Sequence, residues 1–134
     1  MEDKLTKKLT VKKENLASYV GSGSLDVLAT PAVAALMEGA AAELAQSRLE
    51  SDEFTTVGIA INIEHTSPTP LGADVEATAV LTKTEGRLFY FELTAGDASG
   101  EIARGTHTRV SVNAEKFQKK ADTKFVSAFS LYFS

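Results

Sequence analysis

The chain has two histidines, His65 and His107, and no cysteine. Few of its side chains can therefore act as acid, base or nucleophile near neutral pH. An imidazole is the usual general base for activating water or a hydroxyl, because its ordinary pKa lies close to neutrality. His65 closes the run Ile59-Ala60-Ile61-Asn62-Ile63-Glu64 and precedes a proline-rich turn, a place where a side chain can emerge from a sheet into a cleft. A hydrogen-bonded histidine at a strand end would look the same, and both readings stand at this level. His107 lies in Gly105-Thr106-His107-Thr108-Arg109. Alternation with a period of two puts Gly105, His107 and Arg109 on one face and Thr106, Thr108 and Val110 on the other. The expected role of His107 is structural, within the sheet, with support of a ligand as the alternative.

Glu38 is the one carboxylate in the middle of an apolar stretch, Ala29 to Ala42. An isolated ionised carboxylate is costly to bury, so Glu38 either pairs or faces a cleft where it has chemistry to do. Perturbed carboxylates mark sites often enough that function is the favoured reading. Thr30, just before Pro31, is by spacing alone a helix N-cap, a position where threonine is common for structural reasons.

These candidates need elements to hold them. Pro31 suits the first position of a helix, where its missing amide hydrogen is not needed. The spacing of Val33, Leu36, Met37, Ala40 and Leu44 predicts a helix running to about Leu49, mostly buried because alanines fill much of the remaining circumference. Before it, Leu5, Leu9 and Val11 alternate with polar residues as an opening strand, and Val20 to Ser24 reads as a flexible loop. After it, four strand-like segments follow: 55–65, 74–84, 87–95 and 101–112. The turns between them are Pro68 to Gly72, Glu85-Gly86 and Asp97 to Gly100. Such short connections predict antiparallel neighbours. Ala114 to Ala121 reads as a brief amphipathic helix, and residues 122–134 as an apolar tail of undefined role. One helix that must be covered on several sides, followed by an antiparallel run of strands, predicts an α+β fold in which a curved sheet wraps a long central helix. Exposed sheet edges and an uncovered helix flank then predict a dimer.

At 134 residues the chain suits one domain, residues 1–121, with the tail appended. A formal net charge of -4 argues against sequence-independent nucleic-acid binding, which needs a basic face. The clusters Lys4 to Lys13 and Lys116 to Lys124 are interleaved with apolar and acidic residues and read as solvated faces, with contact to nucleotide phosphates as the minority reading. The lack of cysteine excludes disulfides, thiolate metal sites and a cysteine nucleophile. The N-terminus has no apolar core for a signal peptide and no segment approaches a membrane span, so a cytoplasmic protein without a membrane partner is expected.

Five short segments together carry a resemblance. They are Val20-Gly21-Ser22-Gly23-Ser24 leading to Ala29-Thr30-Pro31, Leu36-Met37-Glu38, His65-Thr66, Thr69-Pro70 with Gly72, and Gly105 to Arg109. In this order, across about Thr10 to Lys119, they resemble the fluoroacetyl-CoA thioesterase family of the hotdog-fold superfamily. The resemblance implies a hotdog fold, a homodimer, and hydrolysis of an acyl thioester of coenzyme A with no other cofactor; a homodimer and a dimer of dimers both stand as the assembly. It also implies catalytic roles for Thr30, Glu38 and His65, and puts the glycine near the acyl carbonyl at Gly58. Members specialised for fluoroacetate carry phenylalanines ahead of the catalytic threonine, whereas Val20 to Leu28 has no aromatic residue here. A different short or medium acyl group is therefore expected. The alternatives are an acyl-CoA sensor without turnover and, ranked last, a hydratase on the same fold.

Overall fold

The computed structural model describes residues 3–125. Its elements are β1 (Lys4–Thr10), a 3-10 turn (Lys13–Asn15), α1 (Ala17–Val20), α2 (Thr30–Gln46), β2 (Phe54–His65), β3 (Asp74–Glu85), β4 (Leu88–Asp97), β5 (Gly100–Asn113) and α3 (Ala114–Asp122). The five strands form one antiparallel sheet in the order β1-β3-β4-β5-β2. The predicted α+β architecture is present, with α2 packed across one face of the sheet. Among the described residues no helix is long and apolar enough to cross a membrane.

The core follows from the two periodicities. Val33, Leu36, Met37, Ala40, Ala41, Leu44 and Ala45 of α2 are buried. They meet the inward residues Val75, Ala77 and Ala79 of β3 and Phe89, Phe91, Leu93 and Ala95 of β4. Burying one Leu, Met or Phe contributes about 1.5–3 kcal/mol, so this layer holds the helix on the sheet. Register shifts between Gly58 and Ala60, Leu81 and Lys83, and Ala95 and Gly96 add residues to single strands. Each such bulge sharpens the local bend that lets the sheet curve around α2.

Four expectations are corrected. α2 ends at Gln46 rather than Leu49, and Thr30 is its first residue rather than its cap; Ala29 occupies the cap position and makes no side-chain cap bond. Val20, the first residue of the expected loop, instead ends a helical turn over residues 17–20, which Gly21 closes at φ 88. The largest correction concerns β2, which does not neighbour β3 but lies at the far edge beside β5. The Thr66 to Ala73 connection crosses the ends of the intervening strands. The Thr66 amide bonds the Ile102 carbonyl, the Thr69 hydroxyl bonds Asp97, and the Gly72 amide bonds the Val11 carbonyl. Three inter-strand steps are only about 14 Å, which eight residues span easily, so a short connection did not require adjacency. The apolar tail from Val126 onward lies outside the described residues.

Candidate active site

Thr30 and His65 meet. The Thr30 Oγ1 and His65 Nδ1 atoms are 2.8 Å apart, a hydrogen bond between the first residue of α2 and the last residue of β2. Because Ala29 holds the cap position, the Thr30 hydroxyl is not spent on its own helix and remains available to the imidazole. The other ring nitrogen, Nε2, is buried and has no hydrogen-bond partner among the described residues. A cleft of about 270 Å³ opens onto this pair between the Val27 to Ala29 segment and Thr66 to Pro68. A larger groove of about 900 Å³ runs past Asp74, Glu76, Asp97 and Glu101; it holds none of the candidates, whereas the smaller cleft is lined by Thr30 and His65.

Glu38 and Gly58 meet elsewhere. A Cβ added to Gly58 would lie 2.8 Å from Glu38 Oε2, 3.0 Å from His107 Cε1 and 3.4 Å from Arg109 NH1. The glycine thus leaves a small space on which a carboxylate, an imidazole and a guanidinium converge. The Glu38 side chain is 41% exposed and its Oε2 is 3.8 Å from His107 Nε2. His107 is 3% exposed and Arg109 8%. Arg109 Nε and NH2 donate to the hydroxyl and carbonyl oxygens of Thr56, each at 2.8 Å. Its NH1 lies 3.2 Å from His107 Nε2. His107 Nδ1 is 2.8 Å from the Ala60 carbonyl oxygen. Burial pushes His107 below the ordinary histidine value of 6.5, against the opposing influence of the Ala60 carbonyl. Burial likewise lowers Arg109, against the attraction of Glu38.

The four residues expected at the site therefore form two pairs. Thr30 and Glu38 are eight positions apart on α2, about 12 Å of helical rise. Gly58 and His65 are seven apart on β2, roughly 20 Å of strand. The inward face shared by His107 and Arg109 is as alternation predicted, but their convergence with Thr56 on Glu38 and Gly58 was not foreseen. The parity of β5 was a signal for it; the register that sets β5 beside β2 was not legible.

The sequence model of the fluoroacetyl-CoA-specific thioesterase family matches residues 11–115. The chain belongs to that family. A fluoroacetyl-CoA thioesterase from Streptantibioticus cattleyicolor is 38% identical over 99 residues, which cover 74% of this chain and 70% of that protein. A structure of a point mutant of the fluoroacetyl-CoA thioesterase in complex with acetyl-CoA matches with a TM-score of 0.85 at 30% identity, covering 92% of this chain and 96% of that one. A hot-dog-like protein from Thermanaerovibrio acidaminovorans shares the fold, with a TM-score of 0.82 at 22% identity, covering 92% of this chain and 91% of that one. Membership in the fluoroacetyl-CoA-specific thioesterase family thus goes with the hotdog architecture that the resemblance implied.

Proposed function

We propose that this protein hydrolyses a short or medium acyl thioester of coenzyme A as a homodimer, each site combining Thr30 and His65 of one protomer with Glu38 of the other. The observation that carries the proposal is the Thr30–His65 hydrogen bond with His65 Nε2 buried and without a partner among the described residues. A buried polar atom left without a partner costs about 1–3 kcal/mol. A carboxylate from a second copy, reaching Nε2 on a shift of the groups that cover it, would remove that cost and complete an attacker, base and carboxylate relay. β2 is an edge strand that exposes Phe54, Ile59 and Ile61. Antiparallel pairing of β2 with its copy would bring the Gly58 end of one protomer toward the His65 end of the other.

In this mechanism Thr30 Oγ1, or a water in its place, attacks the thioester carbonyl while His65 Nδ1 takes its proton. Glu38 accepts a hydrogen bond from His65 Nε2 and steadies the imidazolium. A new C–O bond forms, the developing oxyanion is held by backbone amides at Gly58 or the first turn of α2, and collapse breaks the C–S bond. His65 returns its proton to the departing thiolate; where Thr30 is the attacker, a water deprotonated by His65 then cleaves the acyl–Thr30 ester, the acid leaves, and the proton returns to Thr30 Oγ1. The thioester is already an activated acyl group, so no further cofactor is required. The small cleft beside Thr30 and His65 favours a short acyl chain, and Val20 to Leu28, which lacks an aromatic residue, favours one other than fluoroacetyl. The cysteine-free chain suits a reducing cytoplasm, where we place the activity.

The test is thiol release across acyl-CoA chain lengths. Release from at least one short or medium acyl-CoA is expected; none from folded protein would instead promote a binding protein that senses acyl-CoA without turnover.

A further inference from the structure

Of the two histidines, the one left out of the proposed chemistry has the more constrained surroundings. His107 is buried against Phe91, their ring centroids 6.1 Å apart, and both of its nitrogens are committed. The Ala60 oxygen 2.8 Å from Nδ1 is a carbonyl and can only accept, so Nδ1 carries the hydrogen. NH1 of Arg109, 3.2 Å from Nε2, can only donate, so Nε2 presents a lone pair. The two partners thus select one neutral tautomer. A protonated ring would set a second N–H against the guanidinium.

Both bonds lead to the Gly58 space. Ala60 follows Ile59, the extra residue of the β2 bulge, whose side chain is 57% exposed. Bulges of this kind re-aim a strand next to a functional site. The imidazole ties the bulged segment to β5 from within, while Arg109, anchored on Thr56 by two further bonds, points NH1 at the same ring. Glu38 Oε2 lies 3.8 Å from Nε2, too far for a hydrogen bond, so the ring does not hold the carboxylate directly.

We propose that His107 is a positioning residue: as an Nδ1-protonated, neutral imidazole it fixes both the β2 bulge and the Arg109 guanidinium, and through them the place of the Glu38 carboxylate over Gly58. This rests on Glu38 belonging to the thioesterase site. A catalytic carboxylate displaced by as little as about 1 Å can cost 10²-fold in rate, whereas the fold itself does not depend on where Glu38 points.

Two substitutions separate the nitrogens. In His107→Gln the amide oxygen comes close to the place of Nε2 and can still accept from Arg109. In His107→Asn the amide nitrogen comes close to the place of Nδ1 and can still donate to Ala60, but NH1 loses its acceptor. With kcat, KM and melting temperature measured for both beside wild type, each variant keeps one tie and loses the other, so each is expected to turn over about tenfold or more slowly than wild type, with KM changed much less and melting temperatures close together. Wild-type turnover in both variants overturns the proposal, as does a loss that merely follows melting temperature. A ¹⁵N spectrum of the wild-type ring at neutral pH is the second measurement and requires neither activity nor a folded variant. Nε2 unprotonated is expected, and a protonated Nε2 overturns the proposal. Wild type inactive on every acyl-CoA, yet with the expected ring spectrum, would count against the thioesterase and leave the His107 tautomer established.

Discussion

His65 and His107 show how burial alone fails to sort two imidazoles. The buried, fully bonded ring is His107, and the half-buried ring with a nitrogen that has no partner among the described residues is His65. If His65 is the base, His65→Ala should lower turnover by roughly 10² or more and leave melting nearly unchanged, since it loses one hydrogen bond at a strand end. Thiol release at saturating substrate beside a thermal melt checks this, and near wild-type turnover would transfer the base role to Glu38 acting on water. His107 should instead be visible in the pH dependence of stability. Its folded value lies below 6.5, so the unfolded chain takes up the proton first as pH falls. The contribution of the neutral ring is complete above about 6.5 and is lost as pH falls through the folded value. The stability advantage of wild type over His107→Gln should therefore shrink from about pH 8 to about pH 5, and a constant gap would contradict the shift. The residue types were legible in the sequence: a lone carboxylate in an apolar helix, a histidine before a proline-rich turn. Their partners were not, because partners are set by register. Thr30 makes the point, as spacing alone read it as a cap and the structure gives its hydroxyl to His65.

At the scale of elements, β2 decides what the site can be. Its strand character was plain from alternation, but its place at the edge beside β5 depends on a connection that crosses strand ends, which length does not reveal. Two glycines now distinguish what holds this strand from what it holds. A Cβ on Gly105 would fall 2.0 Å from the Asn62 backbone carbonyl oxygen, within the β2–β5 ladder where Ile63 pairs with Gly105. Nothing there can yield without parting the strands. Gly105→Ala should cost on the order of 3 kcal/mol, roughly 10 °C of melting temperature. A Cβ on Gly58 would press hardest on the Glu38 carboxylate, the far end of a flexible side chain that can swing aside, and would ask the His107 ring 3.0 Å away to give by only about a few tenths of an ångström. Gly58→Ala should therefore melt within a few degrees of wild type and lose turnover, about tenfold or more if Glu38 is catalytic. The opposite pattern, a stable Gly105→Ala or an unstable but fully active Gly58→Ala, would mean that the register or the role of Glu38 is misassigned.

For the whole molecule, the decisive question is whether the two pairs of residues serve one site or two. Within a protomer they lie at opposite ends of eight residues of helix and seven of strand, and the Thr30–Glu38 separation was already legible from helical rise, since no straight α2 brings those residues together. The sequence could not say which surface would bring a second copy, because edge exposure exists only once the strands are ordered. If Glu38 acts on His65 of the other protomer, the two defects can complement. In a dimer of one His65→Ala chain and one Glu38→Ala chain, one site holds both substitutions. The other takes intact Thr30 and His65 from the Glu38→Ala chain and intact Glu38 from the His65→Ala chain. Were the residues to act within one protomer, both sites would carry a lesion. Random exchange of equal amounts makes about half of the dimers mixed, each with one live site of two, so about a quarter of wild-type turnover should return. The measurement is thiol release before and after the two variants are mixed under conditions that exchange subunits, with light scattering to verify that the species is a dimer. Exchange without recovered activity would place the carboxylate function inside a single protomer, and activity in a clean monomer would remove the shared site altogether.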